Sequence, residues 1–418
     1  MNSFIIVGGG LAGCTTAYLL KKKYPKSSIK IFEGKEIGGL CKTFEYENIN
    51  YELGPHILYS GDESLRNFFE KFLTNKEMKY FQKLSVDGSL DNLYSYPVAV
   101  EDVIRINPNA AVELYHLELS EPDMTNVENY LISRVGRTAY EYFFKNYNVK
   151  QWGIHPRKME TEWISQRRIF LRDFVDSVFG KKWQGHPGSY NLMFDKMVDG
   201  IEVVLEKVKN IDTKTGKVVT DGGEYSADMI LNTTPLDMLF ERKNTLKYRG
   251  ISWVYALLDI DCAFPTYLTS FPNNFSFTRI MEYKHQSQQK LTGKTLISFD
   301  FPYDSMDESE PMEKIYMKEA SDFLESNFPG KTISMFCESR SLVYPVSEQG
   351  SINHFWNLLK TNISDKWISF GRLGLYSYIS MDTCVQHCMK VVDIIDNWKE
   401  MSYNDKVVFY DRLRSKQT

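Results

Sequence analysis

Three glycines, at positions 8, 10 and 13, most constrain what the amino-terminal part of this chain can become. They follow SFIIV (3–7), an almost wholly apolar run that reads as a buried parallel strand. They precede residues 11–23, which read as a helix. In the spacing G-x-G-x-x-G between a strand and a helix, the backbone turns sharply, approaches a pyrophosphate and packs helix on strand. The helix start supplies unpaired N–H groups and partial positive charge to the phosphates. A second strand, SIKIF (28–32), ends at Glu33, 20 positions after Gly13, where an acid accepts hydrogen bonds from ribose hydroxyls. Arriving in this order, the elements define a dinucleotide site held by Gly8, Gly10, Leu11, Ala12, Gly13 and Glu33. Gly38 and Gly39, with Leu40, offer the extended ligand a second close backbone approach.

That opening resembles the FAD-binding start of glutathione-reductase and amine-oxidase type flavoproteins, which points to FAD rather than NAD. Composition excludes other classes. A net charge of −4 provides no general basic field for nucleic acid. No apolar run approaches the ~18 residues of a membrane span, and the chain enters its first strand without a leader, so the expectation is a cytoplasmic protein. The six cysteines show no C-x-x-C spacing, and Cys384 and Cys388, with His387 between them, lack further ligands nearby, so no metal is expected. Aromatic residues make up 14%, enough for some tyrosines to line a ligand cleft.

Further along, FEYENINYELG alternates around Asn48 as a hairpin leading to Gly54-Pro55-His56. Residues 62–73 read as a capped helix, and 98–142 as patchy helix broken at Asn107-Pro108-Asn109. Residues 165–178 mix arginines with aromatics at helical spacing, and 183–188 read as a loop. A helix at 192–199 and strands at 201–205 and 227–231 return the chain to its first sheet. Residues 253–301 read as antiparallel strands, 312–328 as a helix, 367–371 as a strand and 383–401 as a long helix. The expected fold is α/β: a discontinuous Rossmann-like FAD domain (1–75, 191–240, 361–400) with a mainly helical insert (76–165). A cleft segment (166–190), an antiparallel substrate domain (241–360) and a tail (401–418) complete it.

At YNVKQWG (147–153) and RIFLRDFVDSVFGKKWQGHP (168–187) the sequence resembles the UDP-galactopyranose mutase family. Further matching stretches are Gly54-Pro55-His56-Ile57, Tyr96-Pro97, Thr278-Arg279-Ile280-Met281-Glu282, Tyr344-Pro345-Val346 and Gly371-Arg372-Leu373, in family order. The resemblance implies an FAD-dependent isomerase that interconverts pyranose and furanose forms of a nucleotide sugar for a surface glycan. Reduced flavin N5 would act as nucleophile at the anomeric carbon, with no net redox change. It also implies a homodimer and an external reductant such as NAD(P)H.

By the same resemblance, Arg172 and Arg279 clamp the diphosphate, for which a planar, always-charged guanidinium is suited. Tyr344 and Tyr378 contact that diphosphate, while Tyr147, Trp152 and Trp183 surround the nucleoside and sugar. Arg372 falls near the flavin pyrophosphate, His56 beside the isoalloxazine, and Met381, Asp382 and Thr383 at a helix start near flavin N1 and O2. Two positions depart from the pattern. Tyr59 replaces a second histidine, and Ser380 replaces an aspartate at the sugar end. Two other readings stay open: a net-redox FAD oxidoreductase of the amine-oxidase type, and a flavin-containing nucleotide-sugar binding protein without turnover.

Overall fold

The computed structural model describes residues 3–73, 80–117, 121–165, 169–171, 182–241, 245–287, 293–305 and 312–415. Its first layer is a five-stranded parallel sheet ordered Trp367–Ser369, Met229–Asn232, Ser3–Val7, Ser28–Phe32, Glu202–Val204. Ser3–Val7 sits centrally, with Ile6 beside Leu231 on one side and Ile31 on the other. A strand covered on both faces needs apolar residues at every position, which is why SFIIV does not alternate. Helix Leu11–Lys23 packs against helix Met381–Ile394, where Cys388 Sγ lies 3.3 Å from the Ala12 carbonyl oxygen.

The second layer is a seven-stranded sheet ordered Thr332–Pro345, Tyr248–Leu258, Thr295–Asp304, Arg279–Glu282, Leu268–Ser270, Gln82–Ser85, Leu93–Tyr96. It is antiparallel except where Leu268–Ser270 meets Gln82–Ser85. Side chains alternate along its buried strand Tyr248–Leu258. Val254, Ala256 and Leu258 join a phenylalanine-rich core with helix Glu313–Asn327, whereas Trp253, Tyr255 and Leu257 join the opposite core. Ile280 falls on the first side and Met281 on the second, so the same alternation turns Arg279 toward the Trp253 side.

The insert expected to be mainly helical does contain helices Val100–Ile106, Ala110–Leu117 and Val127–Ala139. It also gives two strands to the large sheet. Those strands, QKLS and LYSY, are too short and too polar for a periodic signal, and their partner at Leu268–Ser270 is distant in sequence. Trp183–Gly185, expected as loop, pairs with Leu58–Ser60. The hairpin at Asn48 joins Thr43–Tyr46 to Ile49–Glu52 through Glu47 and Asn48, both with positive φ (51° and 62°), the two-residue turn that matches strand twist. The helix expected at 383–401 spans Met381–Ile394, starting two residues earlier and ending well short of 401, and a further helix, Tyr403–Ser415, occupies the expected tail.

Candidate active site

The dinucleotide end follows from the glycine spacing. A Cβ built on Gly13 would lie 1.9 Å from the Gly8 carbonyl oxygen, so only glycine lets helix and strand meet there. A Cβ on Gly10 meets nothing within 4 Å, leaving open space in front of the helix start, as a pyrophosphate requires. Gly38 N–H donates to the Gly9 carbonyl at 2.8 Å, which draws the second glycine pair and Leu40 against the first. Glu33 accepts from Gly9 N at 2.7 Å and Lys35 N at 2.9 Å. An ionised carboxylate has about four acceptor positions, so capacity remains for ribose hydroxyls. These residues fit a dinucleotide such as FAD.

From Leu40 a cavity of about 690 Å³ runs into the space between the two layers. His56, Arg279, Tyr344, Arg372 and Tyr378 line it, as do Ser380, Met381 and Asp382. Arg279 is held on its strand by Asp300, the residue directly opposite on the neighbouring strand, at 2.6 Å through Nε. Its Nη2 donates to the Tyr344 hydroxyl at 3.2 Å. Burial works against the guanidinium charge and the Asp300 carboxylate outweighs it, so Arg279 stays charged. Asp300 is fully buried, and burial holds its carboxyl above the usual range. Burial likewise raises the hydroxyls of Tyr147 and Tyr344, with Arg279 opposing in both cases.

Trp152 packs 5.3 Å from Tyr378, 5.9 Å from Tyr344 and 4.7 Å from Trp163 by ring centroid. Arg372 lies over Tyr378 (5.2 Å) and Tyr344 (5.7 Å) and is anchored through two donations to the Ile379 carbonyl. The neighbouring Gly371 sits against Ala12, so Arg372 bridges the dinucleotide end and the aromatic group. Lys150 ties the helix bearing Tyr147 and Trp152 to the segment before Arg279, donating to the carbonyls of Phe271, Phe275 and Phe277 at 2.5–2.9 Å.

Ser380 precedes helix Met381–Ile394, its hydroxyl bonded to the Asp382 carboxylate and 3.2 Å from the Thr383 hydroxyl. Behind His56, Glu52 is fully buried and accepts from His186 Nε2 at 2.9 Å and Gln286 Nε2 at 2.8 Å. His186 Nδ1 accepts from Gly188 N, which fixes Nε2 as its donor. Glu52 also stands 3.4 Å from His56 Nδ1. Burial alone would strip His56 of charge. The Cys41 sulfur and the Glu52 carboxylate outweigh it and hold the imidazole above its usual range. Tyr59 lines the cavity beside Lys182, whose ammonium lies 5.5 Å from its ring.

The structure therefore brings His56, Arg279, Tyr344, Tyr378, Arg372, Ser380, Met381 and Asp382 to one cavity, with Tyr147 and Trp152 packed behind. Arg172 lies outside the described residues. Trp183 departs from its expected role. It is 6% exposed and stacks on Phe69 at 6.4 Å with planes 10° apart, inside the core rather than on the cavity, because its strand pairs with Leu58–Ser60. Sequence reading missed Trp163, Asp300 and Glu52. Asp300 had no spacing signal, since its relation to Arg279 exists only across the sheet.

Fold and cavity together define a Rossmann-like dinucleotide-binding protein with an arginine and tyrosine pocket set against the dinucleotide. Comparison with known proteins agrees: residues 6–72 match the NAD(P)-binding Rossmann-like domain and residues 142–331 match UDP-galactopyranose mutase. The chain is 25% identical over 96% of its length to dTDP-fucopyranose mutase of Escherichia coli, covering 100% of that protein. It is 23% identical over 94% of its length to a probable UDP-galactopyranose mutase of Klebsiella pneumoniae, covering 94% of that protein. A crystal structure of reduced UDP-galactopyranose mutase shares the fold with a TM-score of 0.79 at 15% identity, over 99% of both chains. The match to the UDP-galactopyranose mutase domain is carried by residues 142–331, and both sugar mutases align with the chain nearly end to end. Among the described residues, no helix is long and apolar enough to cross a membrane.

Proposed function

We propose that this enzyme interconverts the pyranose and furanose forms of a nucleoside-diphosphate hexose, with FAD as cofactor and NAD(P)H or another external reductant keeping it reduced. The observation that carries this reading is the single cavity that joins Leu40 and the Met381 helix start to Arg279, Tyr344 and Tyr378. The sugar mutases named above support the class of substrate.

FAD would lie with its pyrophosphate at Gly8, Gly10, Leu11, Ala12 and Gly13, a ribose at Glu33, and its ring among Gly38, Gly39, Leu40, His56 and Met381, Asp382 and Thr383. The chemistry this group would supply, when bound and reduced, is a nucleophile for the anomeric carbon.

The chain's residues do the rest. Arg279, fixed by Asp300 and Tyr344, presents permanent charge to the departing diphosphate, with no reorganisation needed as that charge develops. Arg172 is assigned to the same diphosphate by its place in the sequence. The Tyr344 and Tyr378 hydroxyls offer further hydrogen bonds, and Tyr147 and Trp152 back the pocket. The Met381 helix start offers N–H groups to the negative edge of the reduced ring. The Cys41 sulfur, with Glu52, keeps a proton on His56 against the cost of burial. Ser380, tied to Asp382, holds the sugar end where the family pattern has a carboxylate.

The test is incubation of dithionite-reduced protein with UDP-galactopyranose and dTDP-fucopyranose, reading furanose product by NMR. Furanose formed without net oxidation supports the proposal. Stoichiometric substrate oxidation, or no product with either sugar, overturns it.

A further inference from the structure

Outside the cavity, three side chains converge from separate places: Cys262 beyond strand Tyr248–Leu258, Glu282 at the end of strand Arg279–Glu282, and His285 in helix Tyr283–Ser287. Cys262 Sγ lies 3.5 Å from His285 Nε2 and 3.7 Å from Glu282 Oε2, and those last two atoms are 3.4 Å apart. A tetrahedral zinc ion with bonds of about 2.3 Å to sulfur and about 2.0–2.2 Å to nitrogen and oxygen sets the sulfur about 3.5–3.7 Å from the other ligand atoms and those about 3.3–3.5 Å from each other. The three atoms thus already form one face of such a tetrahedron. The Phe264 carbonyl oxygen lies beside the group, 2.9 Å from His285 Nε2 and 3.1 Å from Cys262 Sγ.

We propose that Cys262, Glu282 and His285 bind a divalent transition-metal ion of the zinc type. A thiolate, an imidazole and one carboxylate select zinc or cobalt over magnesium or calcium, which seek oxygen ligands only. Glu282 is pre-organised for the task. Fully buried, it is fixed by the backbone N–H groups of Ala263 and Phe264 and by the Thr295 hydroxyl at 2.6 Å, the outer hydrogen bonds a ligating carboxylate needs. Cys262 is exposed and leaves an entry path. Binding releases the thiol proton to solvent, and the His285 ring, whose Nε2 faces the Phe264 carbonyl in the metal-free protein, carries its proton on Nδ1 when Nε2 ligates. The bound ion would clamp the 262–264 segment to the strand that begins with Arg279. It would also fix the helix whose Gln286 donates to Glu52.

The test titrates chelator-stripped full-length protein with ZnCl2 by calorimetry and with CoCl2 by near-ultraviolet absorption. The expected result is one equivalent bound per chain, a thiolate-to-cobalt charge-transfer band, and a zinc-dependent rise in melting temperature. Cys262→Ser should abolish the band and weaken zinc binding by more than about tenfold, since even outer-sphere partners of metal ligands are worth that much. His285→Gln should weaken it similarly. Absence of stoichiometric binding, or equal binding by wild type and Cys262→Ser, overturns the proposal.

Discussion

Replacing Arg279 by methionine separates the arginine's service to the fold from its service to chemistry. The substitution keeps the volume but leaves Asp300, fully buried and with Oδ1 lacking a hydrogen-bond partner among the described residues, without its paired guanidinium. Removing one member of a buried ion pair costs about 3–5 kcal/mol. At about 2.1 cal/mol/K per residue, a chain of 418 residues has an unfolding entropy near 0.9 kcal/mol/K, so the melting temperature should fall by about 3–6 °C at pH 8. The sign of the pH dependence follows from Asp300. Its folded carboxyl titrates above the unfolded value of about 3.9, so the fold loses about 1.4 kcal/mol per pH unit between the two values. Arg279 opposes that rise, so without it the carboxyl titrates higher still; the deficit of Arg279→Met should shrink at pH 5.5, and adding Asp300→Asn should restore most of the stability at pH 8. Neither change should restore turnover. Calorimetric melts at both pH values and a furanose assay read the two effects independently. A single variant that melts like wild type at pH 8 would refute the ion-pair argument. A double variant that turns over normally would refute the diphosphate argument.

The other residues give sharper contrasts. Tyr344→Phe removes the acceptor of Arg279 Nη2, a hydrogen bond to a charged group worth about 1.5 kcal/mol, so kcat/KM should fall about tenfold with little change in melting temperature. Trp183→Leu should instead destabilise the protein by about 2–3 kcal/mol while leaving KM unchanged, because its ring packs on Phe69; a raised KM would return Trp183 to the substrate. Glu52→Gln removes a carboxylate that holds the His56 proton. Because the folded imidazole titrates above its unfolded value of about 6.5, the stability it contributes is complete below that pH and lost as pH rises through the folded value. The melting gap between wild type and Glu52→Gln should accordingly be wider at pH 6 than at pH 10, and equal gaps would exclude Glu52 from control of His56.

The parts of this architecture legible in the sequence are those whose physics is local. Strand, glycines, helix and acid occupy 3–33 consecutively, and the hairpin at Asn48 is announced by its two flanking alternating runs. The parallel sheet could be anticipated because each of its strands is a short apolar run that ends at a turn. What escaped notice depends on partners distant in the chain. QKLS and LYSY become strands only because Leu268–Ser270 offers them an edge. Trp183 occupies a position suited to a ligand contact, yet the pairing of Ser60 with Trp183 turns its ring into the core. Asp300 matters because it lies across the sheet from Arg279, and Cys262 matters because a strand and a helix deliver Glu282 and His285 to it.

The order of strands in the parallel sheet has a consequence for synthesis. Met229–Asn232 forms its outer pairing with Trp367–Ser369, more than a hundred residues further on. While the ribosome is still translating that interval, Ile230 and Leu231 border a row of unsatisfied N–H and C=O groups open to any extended neighbour. A nascent chain that ends before residue 367 consequently carries this strand edge unpaired, and the parallel sheet is complete only when Trp367–Ser369 has been made.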